Sequence, residues 1–453
     1  MPRPRRDGVA ASALDATARP RATVPDAAGL TATPPPAAAI PVPAPREPPL
    51  QRGDGKSVSV VHVVAELAPF ARTGGLGEAV HSLARFQASA GIDTAIVMPL
   101  YRAARENARA IEQVGEPFEV MLGSTTETVR LFRHAVTGRS REQRTPRIYF
   151  IDHPHFFDRP GLYGENGFDY PDNPRRYALF SLAALVALPR IAEGPVLLHA
   201  HDWHAALAPV YLRTYFQHEA WYRQVSTVLS VHNAGFQGQY PPEILPEIGL
   251  PWSLFNWRQL EWYGKVNVLK GGLAFSDAVT TVSPTHAHEL RTPAGGFGLH
   301  DAFIALRERF VGIVNGIDQT LWNPETDTQI TARFSRDNME NKRKCKAAIQ
   351  RAFGLPQRAG IPIFAMSARL TYQKGLELIL GYPDYFALDA QFIFLGAGDP
   401  KYEAELRELA LRAPTRIGTE FNFTDRLEHR LLAGADMCLM PSMYEPCGLT
   451  QMR

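Results

Sequence analysis

The stretch that decides the fold reads Val58-Ser59-Val60-Val61-His62-Val63-Val64-Ala65, passes through Arg72-Thr73-Gly74-Gly75-Leu76-Gly77, and enters a helical pattern from Glu78 to Ala90. The first eight residues form a nearly continuous, valine-rich apolar run. That is the pattern of a strand covered on both faces, as in a parallel sheet. Outward from this strand–turn–helix unit the same texture repeats. Ile92 to Pro99 reads as a second strand, and short apolar strands follow at Pro146–Ile151, Val196–His199, Gln224–Val231 and Ala278–Val282. Helical segments separate most of them, and such alternation predicts a doubly wound α/β domain with a parallel sheet. A second series begins near Val311. Strands at Ile363–Ser367, Gln391–Leu395 and Met437–Met440 alternate with a helix starting at Lys374 and helices at Tyr402–Arg412 and Arg426–Ala433. The expected architecture is two Rossmann-like α/β domains in series, 56–310 and 311–453, facing each other across a cleft.

Composition sets the outer limits. A chain of 453 residues has room for two or three domains. With 45% hydrophobic and 21% charged residues, it can bury a large core. The net charge of +2, from 48 basic and 46 acidic residues, argues against a dedicated nucleic-acid binder. Three cysteines, Cys345, Cys438 and Cys447, exclude a disulfide scaffold, and no C-x-x-C pair suggests structural zinc. No apolar run reaches 18 residues, so no membrane-spanning helix is expected.

Residues 1–55 stand apart. They are rich in Ala, Pro and Arg and hold no aromatic residue, so they are expected to form a disordered extension. A transit peptide is the alternative, which scarce Ser and the presence of Asp7, Asp15 and Asp26 count against. The expected location is the cytoplasm, or a plastid if the extension were a transit peptide. At the other end, a helix that begins near Gly448 meets the end of the chain at Arg453 after about one turn. The reading is a second domain that is incomplete, with about four strands and its last helix cut off.

Five constellations carry chemistry. In the turn Thr73-Gly74-Gly75, glycines allow close backbone approach, Thr73 can cap the following helix, and exposed N–H groups with the helix dipole suit an anion. Arg72 adds a cation. Arg369 and Lys374 flank a loop at the carboxyl edge of the second sheet, where two cations can converge on one diphosphate. Glu445, within Tyr444-Glu445-Pro446-Cys447-Gly448-Leu449-Thr450, sits at another strand's end and could accept hydrogen bonds from sugar hydroxyls. His199-Ala200-His201-Asp202-Trp203-His204 raises the possibility of a zinc hydrolase built on His199 and His201. Such hydrolases need further His and Asp ligands on later strands of a single barrel, whereas this layout suggests two domains; the segment also fits a sugar site with Trp203 stacking and Asp202 on a hydroxyl. His232-Asn233 closes a fifth strand, well placed to line such a site.

These motifs, taken in order, resemble the bacterial glycogen synthase and plant starch synthase family (glycosyltransferase family 5). The resemblance runs from about Val58 to Met452. It rests on Arg72 to Leu76, on Asp152-His153-Pro154-His155-Phe156-Phe157 through Tyr163-Gly164, and on the His199–His204 and Val231–Asn233 segments. It continues through Tyr263-Gly264-Lys265-Val266-Asn267, Thr281-Val282-Ser283-Pro284, Val314-Asn315-Gly316-Ile317-Asp318, Ser367–Lys374 and Glu445–Gln451. The resemblance implies a B-type glycosyltransferase fold. It implies retaining transfer of glucose from ADP-glucose to the non-reducing end of an α-1,4-glucan (glycogen or starch), with no metal or other cofactor and no nucleic-acid or membrane partner.

By carry-over, the catalytic residues are Arg369, Lys374, Glu445 and His232. Arg369 and Lys374 hold the diphosphate, Glu445 contacts the donor glucose, and His232 lines the reacting sugar. The substrate-binding residues are Arg72, Thr73, Gly74, Gly75, Tyr163, Asp202, Asn233, Asn315, Gly448, Leu449 and Thr450. The chain departs from the family in carrying Arg72 where lysine is usual, and in ending within the second domain. That ending leads to the expectation of a fragment with impaired activity, the alternative being a glucan-binding fragment without catalysis.

Overall fold

Apolar runs buried on both faces become the central strands of a ten-stranded sheet in the computed structural model, which describes residues 57–108, 110–135, 145–165 and 167–453. The extension at 1–55 lies outside the described residues, and the described residues form one unit. The first sheet comprises β1 (Ser59–Val63), β2 (Thr94–Pro99), β3 (Ile111–Gln113), β4 (Phe118–Leu122), β5 (Thr125–His134), β6 (Arg147–Asp152), β7 (Val196–His201), β8 (Val225–Val231), β9 (Ala278–Thr281) and β10 (Phe310–Gly312). Their order is β10-β9-β8-β7-β1-β2-β6-β5-β3, with β4 paired to β5. The strands from β10 to β6 are parallel. The β3–β5 flank is antiparallel. All residues of β1 and β2 are buried, as their unbroken apolar character requires.

The direction of strand addition reverses between β1 and β7. At such a reversal the loops leaving neighbouring strands diverge, and the crevice between them is where open α/β sheets bind ligands. Helix α1 (Leu76–Ser89) follows β1. Helix α2 (Asn173–Ile191) leads into β7 and is buried along most of its length.

The second sheet is built the same way. β11 (Ile363–Ser367), β12 (Gln391–Leu395), β13 (Ile417–Glu420) and β14 (Met437–Cys438) lie in the order β13-β12-β11-β14, all parallel. Its reversal falls between β11 and β14. Helices α3 (Lys342–Ala352), α4 (Leu376–Leu380), α5 (Pro400–Arg412) and α6 (Asp425–Gly434) surround it. One large apolar cluster fills the first lobe, and two smaller ones flank the second sheet. No helix among the described residues is long and apolar enough to cross a membrane.

Several boundaries differ from the sequence reading. Phe310 is buried and pairs with Val279, so β10 belongs to the first sheet and carries Val311 with it. The antiparallel flank was not foreseen, because β5 is largely polar and half-exposed. The helix expected from Lys374 begins after Gly375. That residue has φ +67°, and a Cβ there would lie 2.0 Å from the Pro441 carbonyl oxygen. Lys374 therefore ends a single 3-10 turn, Tyr372–Lys374. Likewise Gly448 (φ +78°) precedes a three-residue 3-10 turn, Thr450–Met452, rather than opening an α-helix.

Candidate active site

Both strand-order reversals open onto one cleft of about 1120 Å³. From the first lobe it is lined by the turn Arg72–Gly75, by Tyr163 and Asp202, and by His232 and Asn233. From the second lobe come Arg369, Lys374, Glu445 and Gly448–Thr450, with Asn315 from the connecting segment. All the residues assigned to substrate and catalysis from the sequence line this one space, whereas His199 and His201 lie behind it. What the structure changes is what they do there.

The glycine-rich turn is not an open anion cradle. The carboxylate of Glu66, only 4% exposed, occupies it from within. Oε2 accepts from the backbone N–H of Thr73 (2.7 Å) and Gly74 (3.2 Å), and Oε1 accepts from the Thr73 hydroxyl (2.7 Å). Thr73 therefore caps Glu66 and not the helix; the N-cap is Gly75, without a side-chain bond. The Tyr163 hydroxyl donates to the same carboxylate at 2.6 Å. Tyr163 is in turn stacked on His204, with ring centroids 4.7 Å apart. Glu66 thus gathers two parts of the site, and no motif in the sequence marked it.

Gly74 and Gly75 serve close approach between the lobes. A Cβ on Gly74 would stand 3.7 Å from the Arg369 guanidinium, and one on Gly75 3.0 Å from Leu449 Cδ1. Arg72 donates to Glu78 (3.1 Å) and pairs with Asp425 of α6, so it bridges the cleft with its charge already matched.

Asp202 follows β7 with φ +54°. Its Oδ1 accepts from the backbone N–H of His232 (2.7 Å) and, more weakly, of Asn233 (3.4 Å). Burial lifts its pKa to about 7, against the lowering effect of those two donors. Asn233 reaches across to the second lobe: its Nδ2 donates to Gln373 Oε1 (3.5 Å), and its Oδ1 accepts from the Tyr444 hydroxyl (3.5 Å). Trp203 reaches the cleft but is largely buried: it packs on His204 with centroids 4.2 Å apart and leaves no room for a Cβ at Gly238.

The second lobe supplies charge. Lys374 Nζ meets Glu445 Oε1 at 2.5 Å, and the same oxygen accepts from the Ser442 hydroxyl at 2.7 Å. Arg369 differs: no carboxylate among the described residues pairs with it, and its guanidinium lies over the Phe236 ring at 5.9 Å. The two cations share the cleft, but only Arg369 brings uncompensated charge. Asn315 lies in the same wall, its backbone beside the Cys447 thiol.

The histidines expected as possible metal ligands form a cluster with His62. In-register pairing of His62 with His199, and the two-residue spacing of His199 and His201, put all three on one face of the sheet. Their ring nitrogens lie within 4.8 Å of one another. His62 Nδ1 bonds to His201 Nε2 at 2.9 Å, and His199 Nε2 is held by Ser230 Oγ at 2.7 Å. The group includes no carboxylate. A cation held by all three rings would have to displace a hydrogen bond that His201 already makes, to His62 or to His232.

The family model "Starch synthase catalytic domain" matches residues 59–305. The chain is 38% identical over 396 residues to a glycogen synthase of Syntrophotalea carbinolica, covering 87% of this chain and 80% of the relative. It is 40% identical over 398 residues to a glycogen synthase of an Anaeromyxobacter species (strain Fw109-5), covering 87% and 81%. Among solved structures, the catalytic domain of starch synthase IV from Arabidopsis thaliana, bound to ADP and acarbose, matches with a TM-score of 0.79 and 30% identity. That match covers 88% of this chain and 80% of the other.

Proposed function

The chain belongs to the glycogen synthase and starch synthase family of glycosyltransferases, and we propose on that premise that it transfers glucose from ADP-glucose to the non-reducing end of an α-1,4-glucan, with retention and without a metal. One observation carries the reading of the site: Arg369, free of any carboxylate among the described residues, stands at the reversal of the second sheet and faces the Gly74–Gly75 turn of the first. A diphosphate is the ligand such a group suits. The planar guanidinium offers a fork of donors to paired oxygens, and the glycines leave space for them.

In the transfer, the bond from C1 of glucose to the phosphate oxygen breaks and its electron pair leaves with ADP. The acceptor hydroxyl oxygen bonds to C1, and its proton passes to the departing phosphate or to solvent. Negative charge grows on phosphate while the sugar takes on oxocarbenium-like character. Arg369 stabilises the former. Lys374 joins it by sharing its ammonium between Glu445 and the phosphate. Glu445, fixed by Lys374 and Ser442, is an anion beside the electron-poor sugar. Groups held in place before the reaction cost no reorganisation during it.

The test is incorporation of labelled glucose into glycogen from ADP-glucose and from UDP-glucose, with and without chelator. Chelator-insensitive transfer that favours ADP-glucose supports the reading. Absence of transfer from either donor, or full loss with chelator, refutes it.

A further inference from the structure

A line of hydrogen-bonded side chains crosses the first sheet from helix α1 to the cleft, and the transfer described above leaves it unused. Gln87 Oε1 lies 2.7 Å from His62 Nε2, His62 Nδ1 lies 2.9 Å from His201 Nε2, and His201 Nδ1 lies 3.0 Å from His232 Nε2. Strands β1 and β7 and the end of β8 each supply one ring. His62 and His201 are buried, while His232 lines the cleft.

Such a line has a direction. A neutral imidazole has one nitrogen that donates and one that accepts, so each link between two rings holds a single proton. The Gln87 amide oxygen can only accept. His62 must then carry its proton on Nε2, which leaves Nδ1 as a lone pair. That lone pair requires the proton on His201 Nε2, and His201 Nδ1 requires it on His232 Nε2. His232 is left with a bare Nδ1, for which no partner is found among the described residues.

We propose that Gln87, through His62 and His201, holds His232 as the neutral Nε2–H tautomer, so that Nδ1 acts in the cleft as a hydrogen-bond acceptor that takes a sugar hydroxyl and rejects a phosphate oxygen. Burial supports this, since it lowers His62 and His232 to about 4 and so keeps the line uncharged at neutral pH. A hydroxyl can donate to Nδ1. A phosphate oxygen has no proton to give and would set lone pair against lone pair. The line therefore orients the donor: its sugar end belongs against the first lobe and its diphosphate against Arg369. Gln87, His62 and His201 are positioning residues that act through His232. The identity of the ligand rests on the glucosyl-transfer reading; the tautomer does not.

The experiment records 15N imidazole spectra of the whole protein labelled at histidine, with His62, His201 and His232 assigned by single substitution. The expected result is a proton on Nε2 of all three rings. Gln87 is only partly buried, so Gln87→Met should keep the fold while removing the acceptor. Its His232 signal should shift toward a mixture of tautomers, and kcat should fall about five-fold with KM for glucan unchanged.

A proton on His232 Nδ1 in the unsubstituted protein, a His232 spectrum unmoved by Gln87→Met, or zinc bound in stoichiometric amount would each overturn the proposal. Expected tautomers in a protein that uses neither ADP-glucose nor UDP-glucose would sink the transfer reading and the assigned ligand, and leave the tautomer standing.

Discussion

The two strand-order reversals are the same device built twice, with opposite chemistry. In the first lobe the site groups are tied to one another: four hydrogen bonds converge on Glu66, two backbone donors hold Asp202, and three histidines are linked ring to ring. In the second lobe the groups are charged and sparsely held, with Lys374 on Glu445 and Arg369 without a carboxylate. The first wall offers fixed shape and direction, and the second offers field. A nucleotide sugar has one neutral and one anionic end, and the two walls suit its two ends.

The largest effect that tests this contrast is acid. Burial lowers His62, His81 and His232 to about 4 and His204 to about 3, helped at His81 by Arg85 and at His204 by Arg176. All four belong to the first lobe, whereas the second sheet's lobe has the single histidine His429. Between pH 6.5 and about 4 the unfolded chain binds protons that the folded chain refuses, so stability present above pH 6.5 is lost as pH falls. Asp202 works the other way, since the folded chain keeps its proton up to about pH 7. Four groups outweigh one. His62 alone contributes up to roughly 3 kcal/mol. Thermal melts at pH 7 and 4.5 should show the first lobe failing early, and a flat profile would break the contrast.

Next in size is Arg369→Ala, which should lower transfer about 100-fold or more while moving the melting temperature little. Arg369→Lys should fall between, keeping charge and losing the fork. Equal losses for the two variants would mean that field alone is not what the second wall supplies.

Glu66→Ala comes third. It strands the Thr73 and Gly74 N–H groups and the Thr73 and Tyr163 hydroxyls, at a cost of about 2 kcal/mol in chemical denaturation. Glu66→Gln, which keeps an acceptor, should cost less. If both variants denature like the parent, the turn is not organised by this carboxylate.

The smallest effect is at Arg72 and Asp425. Their ion pair spans the cleft but is exposed on the Asp425 side. A double-mutant cycle should return about 0–1 kcal/mol and shrink in high salt. A larger coupling would mean that the lobes are clasped and not merely adjacent.

Much of the fold was legible because the strands that matter are buried on both faces. β11 and β12 read off at their observed limits, and β1, β2, β7 and β8 within a few residues, since valine- and phenylalanine-rich runs admit few alternatives. β5 escaped because it is half-exposed and polar, β13 because its four residues include one large apolar side chain, and β10 because three residues carry too little pattern. The candidate site was legible as a set of residues and not as a set of roles. Arg369, Lys374, Glu445 and the glycine turn stood out by charge and composition. Glu66 did not, because a lone glutamate after a strand has no signature. Gln87 and His62 lie 25 residues apart, and nothing short-range links them.

The sequence by itself determined that two α/β sheets with parallel centres form and that their polar loops leave from the carboxyl ends, because apolar periodicity and glycine turns act over a few residues. Only the tertiary structure decided which charges meet. It set Lys374 against Glu445, Arg72 against Asp425 and Glu66 into the turn, and it left Arg369 open. Electrostatic and hydrogen-bond partners are chosen by distance in space, and the two sheets bring together groups as far apart in the chain as Arg72 and Asp425.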